Sequence, residues 1–151
     1  MQYGNAIGPD LDALKEARVE QGAELSGLKV LVVEDEPLIA MSLKDLLTDS
    51  GCTVTGPASS VEQGMRLIEQ EAVDGAILDV NLRGEMVFPL ADALAEQSIP
   101  FVYVTGYGKS LRACNHGRPV LQKPYNRQQL LKILGQWRPR LRPAPTDMRS
   151  G

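Results

Sequence analysis

The sequence predicts an α/β fold, a doubly wound, five-stranded parallel sheet, and three observations carry that prediction. From Lys29 onward, short apolar runs alternate with longer stretches of helical periodicity, the pattern of βα units laid on a parallel sheet. The first, third and fourth runs are apolar almost throughout, as strands covered on both faces must be. The chain has 151 residues, 43% hydrophobic and 23% charged, which suits one domain with one core.

The elements follow in order. The first strand is Lys29–Val33, closed by the acidic pair Glu34 and Asp35. Leu38, Met41, Leu43, Leu46 and Leu47 fall near helical spacing, with Pro37 at a first-turn position and Gly51 just past the end, so residues 37–49 predict a helix. A second strand is expected over residues 52–56, near an edge because it is less apolar. Ser60 with Gln63 resembles a capping box that opens a helix to about residue 70. The third strand, Gly75–Asp79, ends on a carboxylate, and residues 89–96 supply the next helix. The fourth strand is Phe101–Thr105. Only a turn or two of helix fits residues 109–115 before Gly117 and Pro119, so the fourth helix is predicted to be shortened. The fifth strand, Val120–Gln122, is brief and also near an edge; Asn126 with Gln129 then reads as a capping box ahead of Leu130, Leu131, Ile133 and Leu134.

Three parts are expected. Residues 1–28 form an N-terminal extension, helix-forming over residues 10–21 with a thin apolar stripe through Leu11, Leu14 and Val19. Residues 29–136 form the domain, and residues 137–151 a flexible tail rich in proline and arginine. The net charge of -3 gives no strong field for nucleic acid, and the arginines of the tail have neither aromatics nor a recognition helix beside them. Cys52 and Cys114 are too few for a disulfide framework, which fits a reducing compartment and a cytoplasmic protein. No apolar run is long enough to span a bilayer and the start lacks a leader pattern, so no membrane association is expected. His116, the single histidine, has no partners for a metal or catalytic role.

The chemistry concentrates at strand ends. Glu34, Asp35 and Asp79 fall at the carboxyl ends of strands, the edge where an open α/β sheet binds ligands. Two carboxylates about 5 Å apart at an effective dielectric near 20 repel by roughly 3 kcal/mol, so three together call for a cation. Lys123 and Mg²⁺ both answer that need, and a hard ion with few protein carboxylates suits Mg²⁺ better than Ca²⁺. Taken singly, each of these residues reads as an ordinary cap, turn or strand end. In this order, at the edge where an α/β sheet binds ligands, they point together to a functional site.

Glu34-Asp35, Asp79, Thr105 and Lys123-Pro124 together resemble the array of bacterial response-regulator receivers, over residues 29–136. That resemblance implies a flavodoxin-like sheet of order 2-1-3-4-5. It also implies Asp79 as phosphoacceptor, with Mg²⁺ held by Glu34, Asp35, Asp79 and the backbone carbonyl of Asn81. By the same resemblance the Thr105 hydroxyl and the Lys123 ammonium each meet a phosphoryl oxygen, the Asn81 side chain stands at the entrance of the site, and the Lys123-Pro124 peptide is cis. Phosphoryl transfer needs positioning and charge neutralisation more than covalent help, so the roles are physically coherent. Tyr103-Val104-Thr105-Gly106-Tyr107, followed by Gly108, is similar to the signature of the FATGUY subgroup, often single-domain proteins with a reduced fourth helix. Where many receivers keep an aromatic switch, three residues before the lysine, stands Val120; Tyr107 and Pro124 are the switch candidates.

The implied function is a single-domain response regulator, not an enzyme in its own right. It takes a phosphoryl group from a sensor histidine kinase or histidine phosphotransfer protein and signals to a downstream protein by contact, as a monomer or weak dimer. An aspartyl phosphatase of the haloacid dehalogenase type is disfavoured, because the acid it needs two residues past the nucleophile is here Asn81. A scaffold of the same fold that works without phosphorylation is the remaining alternative.

Overall fold

Parallel pairing buries both faces of the central strands, which is why their sequences are continuous apolar runs. The computed structural model describes residues 25–106 and 117–139. β1 (Lys29–Val33), β2 (Thr53–Ala58), β3 (Gly75–Asp79), β6 (Phe101–Thr105) and β7 (Val120–Gln122) form one parallel sheet in the order β2-β1-β3-β6-β7. Every residue of β3 and β6 is buried, whereas β2 and β7 at the edges carry exposed positions. The labels β4 (Asn81–Leu82) and β5 (Glu85–Met86) belong to a small antiparallel hairpin outside this sheet. Counting the five sheet strands alone, the order is the expected 2-1-3-4-5.

Side chains alternate across the strands and so sort into two cores. On one face Leu31, Val33, Leu78, Phe101 and Tyr103 pack with Leu90 and Leu94. On the other, Val30, Val32, Ile77, Val102 and Val104 pack with Leu43, Leu47, Leu130 and Leu134. The first face is covered by α2 (Val61–Gln70) and α3 (Phe88–Glu96), the second by α1 (Pro37–Asp49) and α4 (Arg127–Leu134). Full burial of each such Leu or Phe contributes about 1.5–3 kcal/mol relative to exposure. Leu25 and Leu28 ahead of β1 and Trp137 beyond α4 join the second core. Cys52 sits there too, and burial pushes its thiol up to about 11, so it is an unreactive packing residue.

Local chemistry sets the helix ends. Asn126 and Gln129 form the full capping box, with bonds of 2.8 and 2.9 Å. At α2 only half of the expected box forms. The Ser60 hydroxyl accepts the Gln63 N–H at 3.1 Å, but the Gln63 side chain takes the N–H of Ser59 instead of that of Ser60. β2 also differs from the expected residues 52–56. It runs on through Gly56-Pro57 to Ala58 because Ala58 pairs with Val33 across an irregularity in register, and its carbonyl accepts the Glu34 N–H at 2.8 Å. Tertiary pairing here overrides a Gly-Pro turn signal.

No helix among the described residues is long and apolar enough to cross a membrane. The expected helix over residues 10–21, the shortened helix over 109–115, Tyr107, His116 and most of the tail lie outside the described residues.

Candidate functional site

All five sheet strands are parallel, so their carboxyl ends share one edge, and this is where the candidate residues fall. Glu34 and Asp35 follow β1, Asp79 closes β3, Thr105 closes β6, and Lys123 follows β7. The neighbouring strands β1 and β3 pair Val33 with Leu78, which sets Glu34 beside Asp79. Glu34, Asp35 and Asp79 each offer a carboxylate oxygen, and these oxygens all lie within 4.8 Å of one another. The Lys123 Nζ stands 3.5 Å from Glu34 Oε1 and 3.7 Å from Asp79 Oδ2. The five residues line one open cavity of about 450 Å³, together with Asn81.

The electrostatics show a site short of positive charge. Glu34, Asp79 and Thr105 are buried. Burial pushes the Glu34 carboxyl up from its ordinary 4.5 to about 7; the Glu36 amide opposes this, Asp79 reinforces it, and the Lys123 ammonium opposes it. The Glu36 N–H donates to Glu34 Oε2 at 3.1 Å, and the Asn81 N–H donates to Asp79 Oδ1 at 3.3 Å. Among the described residues, two cations, the Lys123 ammonium and the Arg83 guanidinium 3.2 Å from Asp35, face three carboxylates, with two amides beside them. Convergent oxygen donors at this spacing fit one hard divalent cation, so the residues present suit Mg²⁺.

The placement of the remaining candidates is mixed. The Lys123-Pro124 peptide is cis, and Pro124 is exposed beside the site. The Asn81 side chain is engaged in the hairpin, its Oδ1 accepting the Gly84 N–H at 2.6 Å. Val120 is half-buried on β7, with no aromatic ring at that position.

Two residues that sequence reasoning missed belong to this neighbourhood. Arg83, at the tip of the hairpin, places its Nε 3.2 Å from Asp35 Oδ2 and lines the cavity. The signal was Gly84 after Arg83 between two extended dipeptides, the outline of a two-residue hairpin loop. Tyr125 lies within reach of the acids: burial raises its phenol first, and the charges of Glu34 and Asp79 add to that. Its place two residues after Lys123 was the clue.

Comparison with known proteins agrees with this geometry. The solution structure of SdrG from Sphingomonas melonis Fr1 shares 44% identity, covering 72% of this chain and 93% of that one, with a TM-score of 0.64. The solution structure of the Erythrobacter litoralis PhyR receiver domain shares 25% identity over 74% of this chain and 89% of its own, with a TM-score of 0.67. The phyllosphere-induced regulator PhyR of Methylorubrum extorquens is 25% identical over 141 residues, 88% of this chain and 53% of that protein. The chain thus spans about half the length of that curated relative. The family model described as the response regulator receiver domain matches residues 30–135. With the sheet order and the acidic edge already in place, that match settles the family: the chain belongs to the response regulator receiver domains, which are signalling modules.

Proposed function

We propose that this receiver domain accepts a phosphoryl group on Asp79 from a sensor histidine kinase or histidine phosphotransfer protein and signals by protein contact. The observation that carries the reading is the convergence of three carboxylates within 4.8 Å, two of them facing the Lys123 ammonium. An Asp79 oxygen forms the new bond to phosphorus while the nitrogen–phosphorus bond of the donor phosphohistidine breaks, and the leaving imidazole takes up a proton. Glu34, Asp35, Asp79 and the backbone carbonyl of Asn81 would hold Mg²⁺, which when bound neutralises charge on the phosphoryl oxygens. The Lys123 ammonium, 3.7 Å from Asp79 Oδ2, is within reach of a phosphoryl oxygen on it. Thr105, buried at the end of β6 in the same cavity, supplies a hydroxyl for another.

The reading extends to a FATGUY-type single-domain regulator of the cytoplasm, a monomer or weak dimer that acts without nucleic acid, with Tyr107 and Pro124 as its switch elements. Tyr103-Val104-Thr105-Gly106 supports that placement. The test is phosphotransfer. Incubation with the phosphorylated histidine kinases and phosphotransfer proteins of the same cell should move label to this chain in Mg²⁺ and not in chelator. Absence of transfer from every donor, with none from acetyl phosphate, overturns the reading. A phosphorylation-independent scaffold is separated by partner affinity, which beryllofluoride changes for a switch and leaves alone for a scaffold.

A further inference from the structure

We propose that Arg83 is a built-in cation that competes with the divalent metal for Asp35, so that the β4–β5 hairpin sets the metal affinity of the pocket. This rests on the reading of the pocket as a Mg²⁺ site and adds a regulator to it. Leu82 pairs with Glu85, leaving Arg83 and Gly84 as a two-residue loop, and both have left-handed backbones, φ +55° and +92°. Such loops favour asparagine, aspartate or glycine; an arginine in the first position carries a steric cost that those residues avoid. A disfavoured conformation held beside a functional site is a reason to look for a role.

The hairpin is braced so that Arg83 is aimed. Asn81 Oδ1 accepts the Gly84 N–H at 2.6 Å across the loop. Glu85 Oε1 accepts the Val61 N–H at 3.3 Å, tying the second strand to the start of α2, and the Val87 N–H bonds the Val80 carbonyl at 3.0 Å, closing the base. From this platform the guanidinium meets Asp35, whose side chain is 9% exposed, while that of Arg83 is 76% exposed. The acid is therefore largely withdrawn from water, and its partner stays in it. An ion pair with one such solvated member is weak and easily exchanged. A divalent ion in contact with all three acids carries twice the charge and displaces it, at the cost of that pairing.

The test is calorimetric titration of the full chain with Mg²⁺ alone. Arg83→Gly and Arg83→Asn both suit a left-handed backbone, so the loop survives. Each should bind Mg²⁺ about two- to fivefold more tightly than the wild type, the range of an exposed ion pair. Arg66→Ala removes an equal charge from α2, where Arg66 pairs with Glu62 and lies outside the cavity lining, and should change nothing. Equal affinities in wild type and both Arg83 variants overturn the competition and leave the metal site standing; so does weaker binding, which makes Arg83 a helper. An equal gain in Arg66→Ala also overturns it, since net charge alone then explains the effect. If neither wild type nor variants bind Mg²⁺, the reading of the pocket itself falls.

Discussion

Strand β3 carries a carboxylate at each end, and the two have opposite fates. Asp74, just before the strand, is fully buried and accepts the Lys29 N–H at 2.7 Å. Its neighbour Gly75 lies under the Trp137 ring, so close that any Cβ would collide with it. Asp79, at the far end, is nearly as buried but faces Glu34, with the Lys123 ammonium near both. Burial alone therefore does not mark a working acid. At the amino edge a backbone donor meets Asp74 and the Trp137 ring covers the glycine beside it, whereas at the carboxyl edge, among the described residues, three carboxylates share two cations, Lys123 and Arg83, and the deficit is a demand for ligand.

The sharpest way to break this contrast is substitution at the two ends. Asp79→Asn should abolish phosphoryl incorporation from acetyl phosphate and Mg²⁺ in a phosphate-affinity gel, while Asp74→Asn should retain it. Next in size, Lys123→Met should slow incorporation on the order of 100-fold, as loss of one preorganised charge does, with Mg²⁺ binding kept. Asp74→Ala should cost about 2 kcal/mol in urea unfolding by orphaning the Lys29 N–H, and Gly75→Ala a similar amount by forcing Trp137 out of place. Neither should change Mg²⁺ affinity.

A further effect is in the pH dependence of stability. Glu34 is raised from 4.5 to about 7, so between those values the metal-free folded chain holds a proton that the unfolded chain has lost. Its stability should then fall as pH rises through that window, and Mg²⁺ affinity should rise over the same window because the ion no longer displaces a proton. Glu34→Gln should flatten the stability slope, measured by urea midpoints across pH, and Asp74→Asn should leave it.

Much of this was legible in the sequence because of how parallel sheets are built. Strands covered on both faces must be apolar runs, so β1, β3 and β6 stood out. Ligand residues must follow such runs, so Glu34, Asp35, Asp79, Thr105 and Lys123 could be placed at one edge before any coordinates. The hairpin left only the faint signal of Gly84 after Arg83: its strands are two residues each, its bracing comes from Val61 on a distant helix, and arginine is not the residue a left-handed loop predicts. The extension of β2 past Gly56-Pro57 was hidden for a related reason, since pairing with Val33 is a tertiary fact. Asp74 and Asp79 look alike in sequence, each a lone acid flanking the same apolar run; only their neighbours in space tell them apart.

The most direct measurement is chemical trapping of the acceptor. The chain is treated with acetyl phosphate and Mg²⁺, reduced with borohydride, which converts an acyl phosphate to an alcohol, and digested for mass spectrometry. The account predicts reduction at Asp79 and at no other carboxylate, Asp74 included. Reduction at a different acid, or none under conditions where label is incorporated, contradicts it.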